Sequence, residues 1–108
     1  MRITTSHDDS GVTRLVLTGD LDMATTGVLD DSVAAALAAT SPRRLVVDAA
    51  GLGFCDSSGI HALVRARDSA QRHGASFVVD EPTGIARRAL EITGLLGVLT
   101  TVTTVDGQ

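Results

Sequence analysis

The sequence predicts a single α/β domain over residues 1–108, a mixed and mostly parallel sheet with helices packed on it, in the order β-β-α-β-α-β-α-β. Three observations carry this. Short β-branched apolar runs alternate with longer stretches whose apolar residues recur at helical spacing. Glycines and turn clusters fall between them, with no repeat, low-complexity tract or linker to divide the chain. At 108 residues and 44% hydrophobic, the chain has apolar material for a core without disulfides or metals.

Ile3 to Thr5 forms a short edge strand, ended by the turn cluster His7-Asp8-Asp9-Ser10-Gly11. Val12 to Thr18 (VTRLVLT) is the next strand. Gly19-Asp20-Leu21-Asp22 breaks it, and Asp22 is a suitable N-cap for a helix. In that helix Thr26, Leu29, Val33, Ala36 and Leu37 recur at helical spacing, and Pro42 ends it near Thr40. Arg44 to Asp48 is a buried strand by length and β-branching. After the stretch AAGLGFCDSSG, a second helix runs from about Ser57 to His73, with Ile60, Leu63, Val64, Ala66 and Ala70 as its apolar stripe. Ser76 to Asp80 is a third buried strand, closed by Glu81-Pro82. A third helix, Ile85 to Thr93, carries Ile85, Ala89 and Ile92 on one side and stops at Gly94. Gly97 to Val105 (GVLTTVTTV) reads as the last strand.

Composition excludes several functions. All nine basic residues are Arg, which disfavours Walker A loops, Schiff-base enzymes and receiver domains of the usual kind, since each needs a lysine. A single cysteine, Cys55, supports no internal disulfide, thiolate zinc cluster or redox CxxC pair. His7, His61 and His73 lack metal-ligand spacing, so neither metal nor cofactor is expected. A net charge of -4 and only two aromatic residues argue against nucleic-acid binding, and the absence of Tyr and Trp weakens carbohydrate binding. No stretch approaches the roughly 20 apolar residues that span a bilayer, and no signal peptide opens the sequence. The expectation is a cytoplasmic protein without direct membrane insertion.

The least core-like stretch is Ala49 to Gly59, where a strand leads into a helix N-terminus. A dinucleotide site would use Gly51-x-Gly53, but Asp56 stands where the third glycine should be and would repel pyrophosphate. A hydrolase would pair Ser57 or Ser58 with His61, but GxSxG is absent and neighbouring helix positions do not supply base, orienter and oxyanion hole together. Cys55 near a helix N-terminus could carry a lowered-pKa thiol; Asp56 opposes that, and a small buried filler fits it better. The plain alternative for Asp56-Ser57-Ser58 is helix capping. One cap needs one such residue, however, and three polar residues precede Gly59. Gly in a first turn costs roughly 0.5–1 kcal/mol relative to Ala, which suggests that its missing side chain admits a close approach by another molecule. On that reading Gly59→Ala leaves the fold intact or slightly stabilised and weakens partner binding. A hydroxyl at this helix end also tolerates phosphate, because the helix dipole and free N–H groups favour an anion there.

Three segments resemble the anti-sigma factor antagonists, small bacterial members of the STAS group. Thr18 to Asp22 (TGDLD) is similar to that family's TGELD segment. Val46 to Gly59 (VVDAAGLGFCDSSG) is similar to its strand followed by the DSSG or DSTG phosphorylation signature. Ile85 to Leu95 (IARRALEITGL) is similar to its late helix ending in TGL. The resemblance covers about Val12 to Leu99. It implies a single STAS-like domain without enzymatic activity that binds an anti-sigma factor serine kinase when unphosphorylated, frees a sigma factor for transcription, and is reset by a serine phosphatase. It places the phosphoacceptor at Ser57 and the partner surface at Asp22, Asp56, Ser58 and Gly59, with Ser58 mainly structural.

Two departures stand out. Cys55 replaces an expected larger aliphatic residue. The family's closing acidic helix is expected to be missing after Val105-Asp106-Gly107-Gln108, which leaves the oligomeric state open. The competing reading within the fold is a STAS subunit of a membrane transport complex of lipid-trafficking type. An enzyme or nucleotide-binding domain using the Gly51 loop is the reading from another class.

Overall fold

The computed structural model describes residues 1–102. Its elements run β1 (Arg2–His7), β2 (Val12–Leu21), α1 (Thr26–Thr40), β3 (Arg44–Cys55), α2 (Ser57–Arg72), β4 (Ser76–Asp80), α3 (Gly84–Ile92) and α4 (Leu96–Thr100). The sheet order is β1-β2-β3-β4, with β1 antiparallel to β2 and the other pairs parallel. The α/β domain with a mixed, mostly parallel sheet is as the sequence predicts, but the order ends β-α-α instead of β-α-β.

This order explains the layering. From β2 to β4 each strand is added on the same side of the last, and right-handed crossovers then put the connecting helices on one face. The core bears this out. Leu15, Leu17, Leu45, Val47, Phe77 and Val79 from one face of the sheet join Leu29 and Leu37 of α1, Ile60 and Leu63 of α2, Leu90 of α3 and Leu99 of α4 in one cluster. The opposite face carries the pairs from Arg14 to Asp48 (3.5 Å) and Asp80 (3.2 Å). A sheet wound in one direction has no reversal of strand order among β1 to β4, and so lacks the crevice in which doubly wound folds hold dinucleotides.

Four expectations are corrected. The segment Gly19 to Leu21 does not break β2; the strand continues through it, as β3 continues through Ala49 to Cys55. The pairing survives because β3 is bulged: Val16 faces Asp48, but Thr18 faces Gly51 and Asp20 faces Phe54. A Cβ at Gly51 would come within 2.7 Å of the Leu17 carbonyl, so the close approach of the two backbones requires glycine there.

Asp22 is not the N-cap of α1. That position is Thr25, without a side-chain cap, and Asp22 instead closes a turn before it. In α3 the buried residues are Ala86 and Leu90, whereas Ile85 and Ile92 are 55% and 76% exposed. Two apolar stripes interleave on this helix, and the one that faces β3 is the one that packs. Finally, the strand expected over Gly97–Val105 is helical at Leu96–Thr100, and residues 103–105 lie outside the described residues. Leu95 and Leu99 sit one helical turn apart, with the Leu99 N–H donating to the Leu95 carbonyl at 2.9 Å. That turn brings Leu99 to full burial, with Leu95 and Leu96 packed against the core.

Candidate functional site

The bulged β2–β3 ribbon ends where both strands leave the sheet together. Leu21 faces Cys55 in register, and the Asp56 N–H donates to the Leu21 carbonyl at 3.3 Å. The TGDLD and DSSG segments, 34 residues apart at Asp22 and Asp56, are therefore joined at one end of the fold.

Asp56 is the N-cap of α2. Its Oδ1 accepts the Gly59 N–H at 3.0 Å, and its carbonyl accepts the Ile60 N–H at 3.0 Å. Capping thus occupies Asp56 Oδ1 and leaves Ser57 and Ser58 without that duty. Ser57 is exposed, Ser58 half-buried, and neither hydroxyl makes a hydrogen bond among the described residues. Asp22 accepts the Ala24 N–H at 3.0 Å through Oδ1, and its own N–H donates to the Thr25 hydroxyl at 2.9 Å. The Thr25 hydroxyl in turn donates to the Asp20 carbonyl at 2.9 Å, pinning the turn after β2.

Gly59 departs from the sequence expectation. It is buried, and a Cβ built on it would lie 2.5 Å from the Leu21 carbonyl oxygen, 2.8 Å from Leu21 Cγ and 2.9 Å from Cys55 Sγ. The missing side chain faces inward. It lets the first turn of α2 close onto the end of β2, and the idea that it opens the surface to a partner is withdrawn.

Cys55 is 3% exposed, the small filler expected. Burial, and secondarily the Asp56 carboxylate, push its thiol up to about 11, so it is protonated and unreactive near neutrality.

No Lys or Arg occurs between Arg14 and Arg43 or between Arg44 and Arg65, so the ends of β2 and β3 carry Asp20, Asp22 and Asp56 without a cation of their own; β1 brings one to the same end, with Arg2 paired to Thr18 and the Met1 backbone against Gly19. The surface also includes two residues that the sequence motifs did not single out. Met23 is 78% exposed, in the turn after Asp22, and Phe54 is 41% exposed, opposite Asp20. The signal for Phe54 lay in the composition, as one of only two aromatics, placed in a stretch otherwise unlike a core.

Two clefts lie elsewhere. One of about 360 Å³ lies between α1 and α2, lined by Asp30, Val33, Arg65 and Arg72; another of about 410 Å³ lies between the end of β4 and α4. Neither is lined by Ser57. Among the described residues no group of three or more His, Cys, Asp or Glu side chains could hold a metal ion, and no helix is long and apolar enough to cross a membrane.

Comparison with known proteins agrees with this geometry. The family model described as Mlab, STAS domain, matches residues 4–101. Among solved structures, an anti-sigma factor antagonist from Mycobacterium paratuberculosis is 31% identical, with 91% of this chain and 83% of that one covered and a TM-score of 0.73. The Bacillus cell fate determinant SpoIIAA in its phosphorylated form is 16% identical, with 93% and 89% covered and a TM-score of 0.69. A sulfate transporter family protein from Wolinella succinogenes is 19% identical, with 82% and 71% covered and a TM-score of 0.68. At those two identities the likeness is one of fold. A search of curated proteins returns no match. With its family model matched over nearly the whole chain and a solved relative at 31% identity, this chain belongs to the STAS domain family.

Proposed function

We propose that the chain is a bacterial, cytoplasmic anti-sigma factor antagonist that works by partner switching. Unphosphorylated, it docks an anti-sigma factor serine kinase through the surface formed by Asp22, Asp56 and Ser57, and a sigma factor is released to transcription. Phosphorylation of Ser57 ends the complex, and a serine phosphatase restores it. The chain is a binding module and the kinase's substrate, not an enzyme.

The observation that carries this reading is the Ser57 hydroxyl, exposed and free of hydrogen bonds among the described residues, in the first turn of α2. In the transfer, Ser57 Oγ bonds to the γ-phosphorus of ATP as the bond to the ADP oxygen breaks, and the hydroxyl proton leaves to a base on the kinase. The product phosphate stands at a helix N-terminus, where the dipole and the unpaired N–H groups of the first turn favour an anion. The fold thus tolerates the modification, and its consequence falls on the partner. The identity to the Mycobacterium paratuberculosis anti-sigma factor antagonist supports the same assignment.

The likeness to a sulfate transporter family protein favours a second reading, a STAS subunit of a membrane transport complex. A gene for a histidine-kinase-like ATPase beside this one argues for switching, and a permease gene argues for transport. The direct test is intact-mass analysis after incubation with the anti-sigma kinases of the source organism and Mg-ATP. A gain of one phosphoryl group, reversed by a metal-dependent serine phosphatase, is expected; an unchanged mass with every kinase would refute the switch.

A further inference from the structure

We propose that β1 pairs with β1 of a second copy of this chain, antiparallel about a two-fold axis at Thr5, so that the two sheets join into one. This concerns assembly and does not rest on the partner-switching reading.

β1 is an edge strand, with no strand paired to its outer side among the described residues. It runs six residues in unbroken register against β2, and all but Ile3 are exposed. Edge strands are usually guarded by Lys, Pro, a bulge or an inward-pointing charge, because their free N–H and C=O groups invite another strand. β1 has none of these, and its one permanent charge, Arg2, stands at its end.

The hydrogen bonding fixes which groups are free. The Asp8 N–H donates to the Val12 carbonyl at 3.0 Å, which makes Asp8 and Val12 a hydrogen-bonded pair. Antiparallel pairs alternate between bonded and unbonded. Ser6–Arg14, Thr4–Val16 and Arg2–Thr18 are therefore bonded, and Ile3, Thr5 and His7 turn their N–H and C=O groups outward. An antiparallel copy must use these three. One register uses them all: Thr5 against the partner's Thr5, and Ile3 against the partner's His7. That register also sets Arg2 against the partner's Asp8 in an unbonded pair, where side chains come closest. Asp8 Oδ1 is held by Ser10 and Val12, which leaves Oδ2 for the partner's Arg2. Symmetry makes this ion pair twice, and opposite charges across strands are favourable. A strand of another protein would find the same three residues; the match of Arg2 to Asp8 is what favours a second copy.

The helix layer permits the approach. α1 packs over β1 and β2, and its Asp30 pairs with Arg65 of α2 at 3.1 Å. The opposite side of α1, which looks out past β1, carries Val28, Ser32, Ala35 and Ala39 at helical spacing, with no charge among them. Two copies of α1 brought side by side thus meet uncharged and mostly small side chains. α2, with Ser57 in its first turn, packs over β3 and β4, so the joined edge leaves Ser57 uncovered.

The test is sedimentation equilibrium of wild type, Thr5→Pro and Arg2→Glu over a micromolar to millimolar concentration series, with melting temperatures alongside. Wild type is expected to dimerise reversibly. Thr5→Pro removes the N–H at the two-fold axis but no bond to β2, so it should stay folded and be monomeric. Arg2→Glu sets like charges opposite each other twice and should weaken the dimer about tenfold or more. Thr5→Cys tests the register alone. Bonded antiparallel partners lie about 5.5 Å apart at Cα, within reach of a disulfide, so oxidation should link two chains. Arg2→Cys, about 20 Å from its copy, should not link. Cys55 is buried and does not compete. A wild type that is monomeric at every concentration overturns the proposal, as does a dimer that survives in folded Thr5→Pro. If Thr5→Pro does not fold, the cysteine variants decide: Thr5→Cys chains that stay unlinked while wild type dimerises overturn the pairing. None of these outcomes bears on phosphorylation of Ser57.

Discussion

Gly59→Ala is expected to destabilise the domain, although helix propensity alone would have Ala stabilise the first turn of α2 by up to about 1 kcal/mol. The methyl group would lie 2.5 Å from the Leu21 carbonyl oxygen, which is backbone and cannot rotate away. Relief requires the first turn to lift from the end of β2. That movement strains the Asp56 N–H bond to the same carbonyl. Overpacking of this kind costs about 1–3 kcal/mol. In a domain of this size each kcal/mol lowers the melting temperature by roughly 4–8 °C. A thermal melt of Gly59→Ala equal to or above wild type would show that the first turn of α2 is not held against Leu21.

Ser57→Asp should have the opposite profile, a large loss of kinase binding with the fold intact. The new carboxylate stands at the N-terminus of α2, where the dipole favours it, and the hydroxyl it replaces has no hydrogen bond to lose among the described residues. Asp22 and Asp56 already lie at this end of the fold, so a partner that covers them must supply hydrogen-bond donors. Adding charge and bulk at the centre disturbs that match. The partner's donors are already engaged by the existing carboxylates, so the added one is buried at the interface without a counter-charge of its own, which costs several kcal/mol, and each 1.4 kcal/mol is tenfold in affinity. A phosphate carries roughly -1.5 to -2 charges against one for Asp, so the variant should reproduce only part of the effect. Calorimetry should show kinase affinity reduced at least about tenfold, with a melting temperature within a few degrees of wild type. A large thermal loss would mark Ser57 as a structural serine and count against the switch.

The contrast between these variants also marks where sequence reasoning reached and where it stopped. The strands at Arg44 to Asp48 and Ser76 to Asp80 were legible because a short β-branched run has few other ways to bury itself. The DSSG segment was legible because its polar residues exceed what one helix cap needs. Gly59 was misread for a nonlocal reason. A glycine in a first turn looks the same whether it opens a surface or admits a backbone, and only the placement of Leu21 against it decides. The same limit explains α3, where Ile85–Ala89–Ile92 and Ala86–Leu90 are equally helical in spacing, and contact with β3 selects the second. It explains α4 too. The β-branched residues Val98, Thr100 and Val102 suggested a strand, but the leucines at 95, 96 and 99 bury more apolar surface as a helical turn. Asp22 looks like a helix cap in the sequence for the same local reason, but it closes the turn before α1 and does not cap the helix.

Partner switching turns on one atom, Ser57 Oγ, as the acceptor. Its most direct test is peptide mapping by tandem mass spectrometry of the chain phosphorylated by its kinase, run on wild type, Ser57→Ala and Ser58→Ala. The phosphate should lie on Ser57 in wild type and in Ser58→Ala, and Ser57→Ala should carry none. Phosphate found on Ser58, or on any residue of the Ser57→Ala protein, would contradict the assignment.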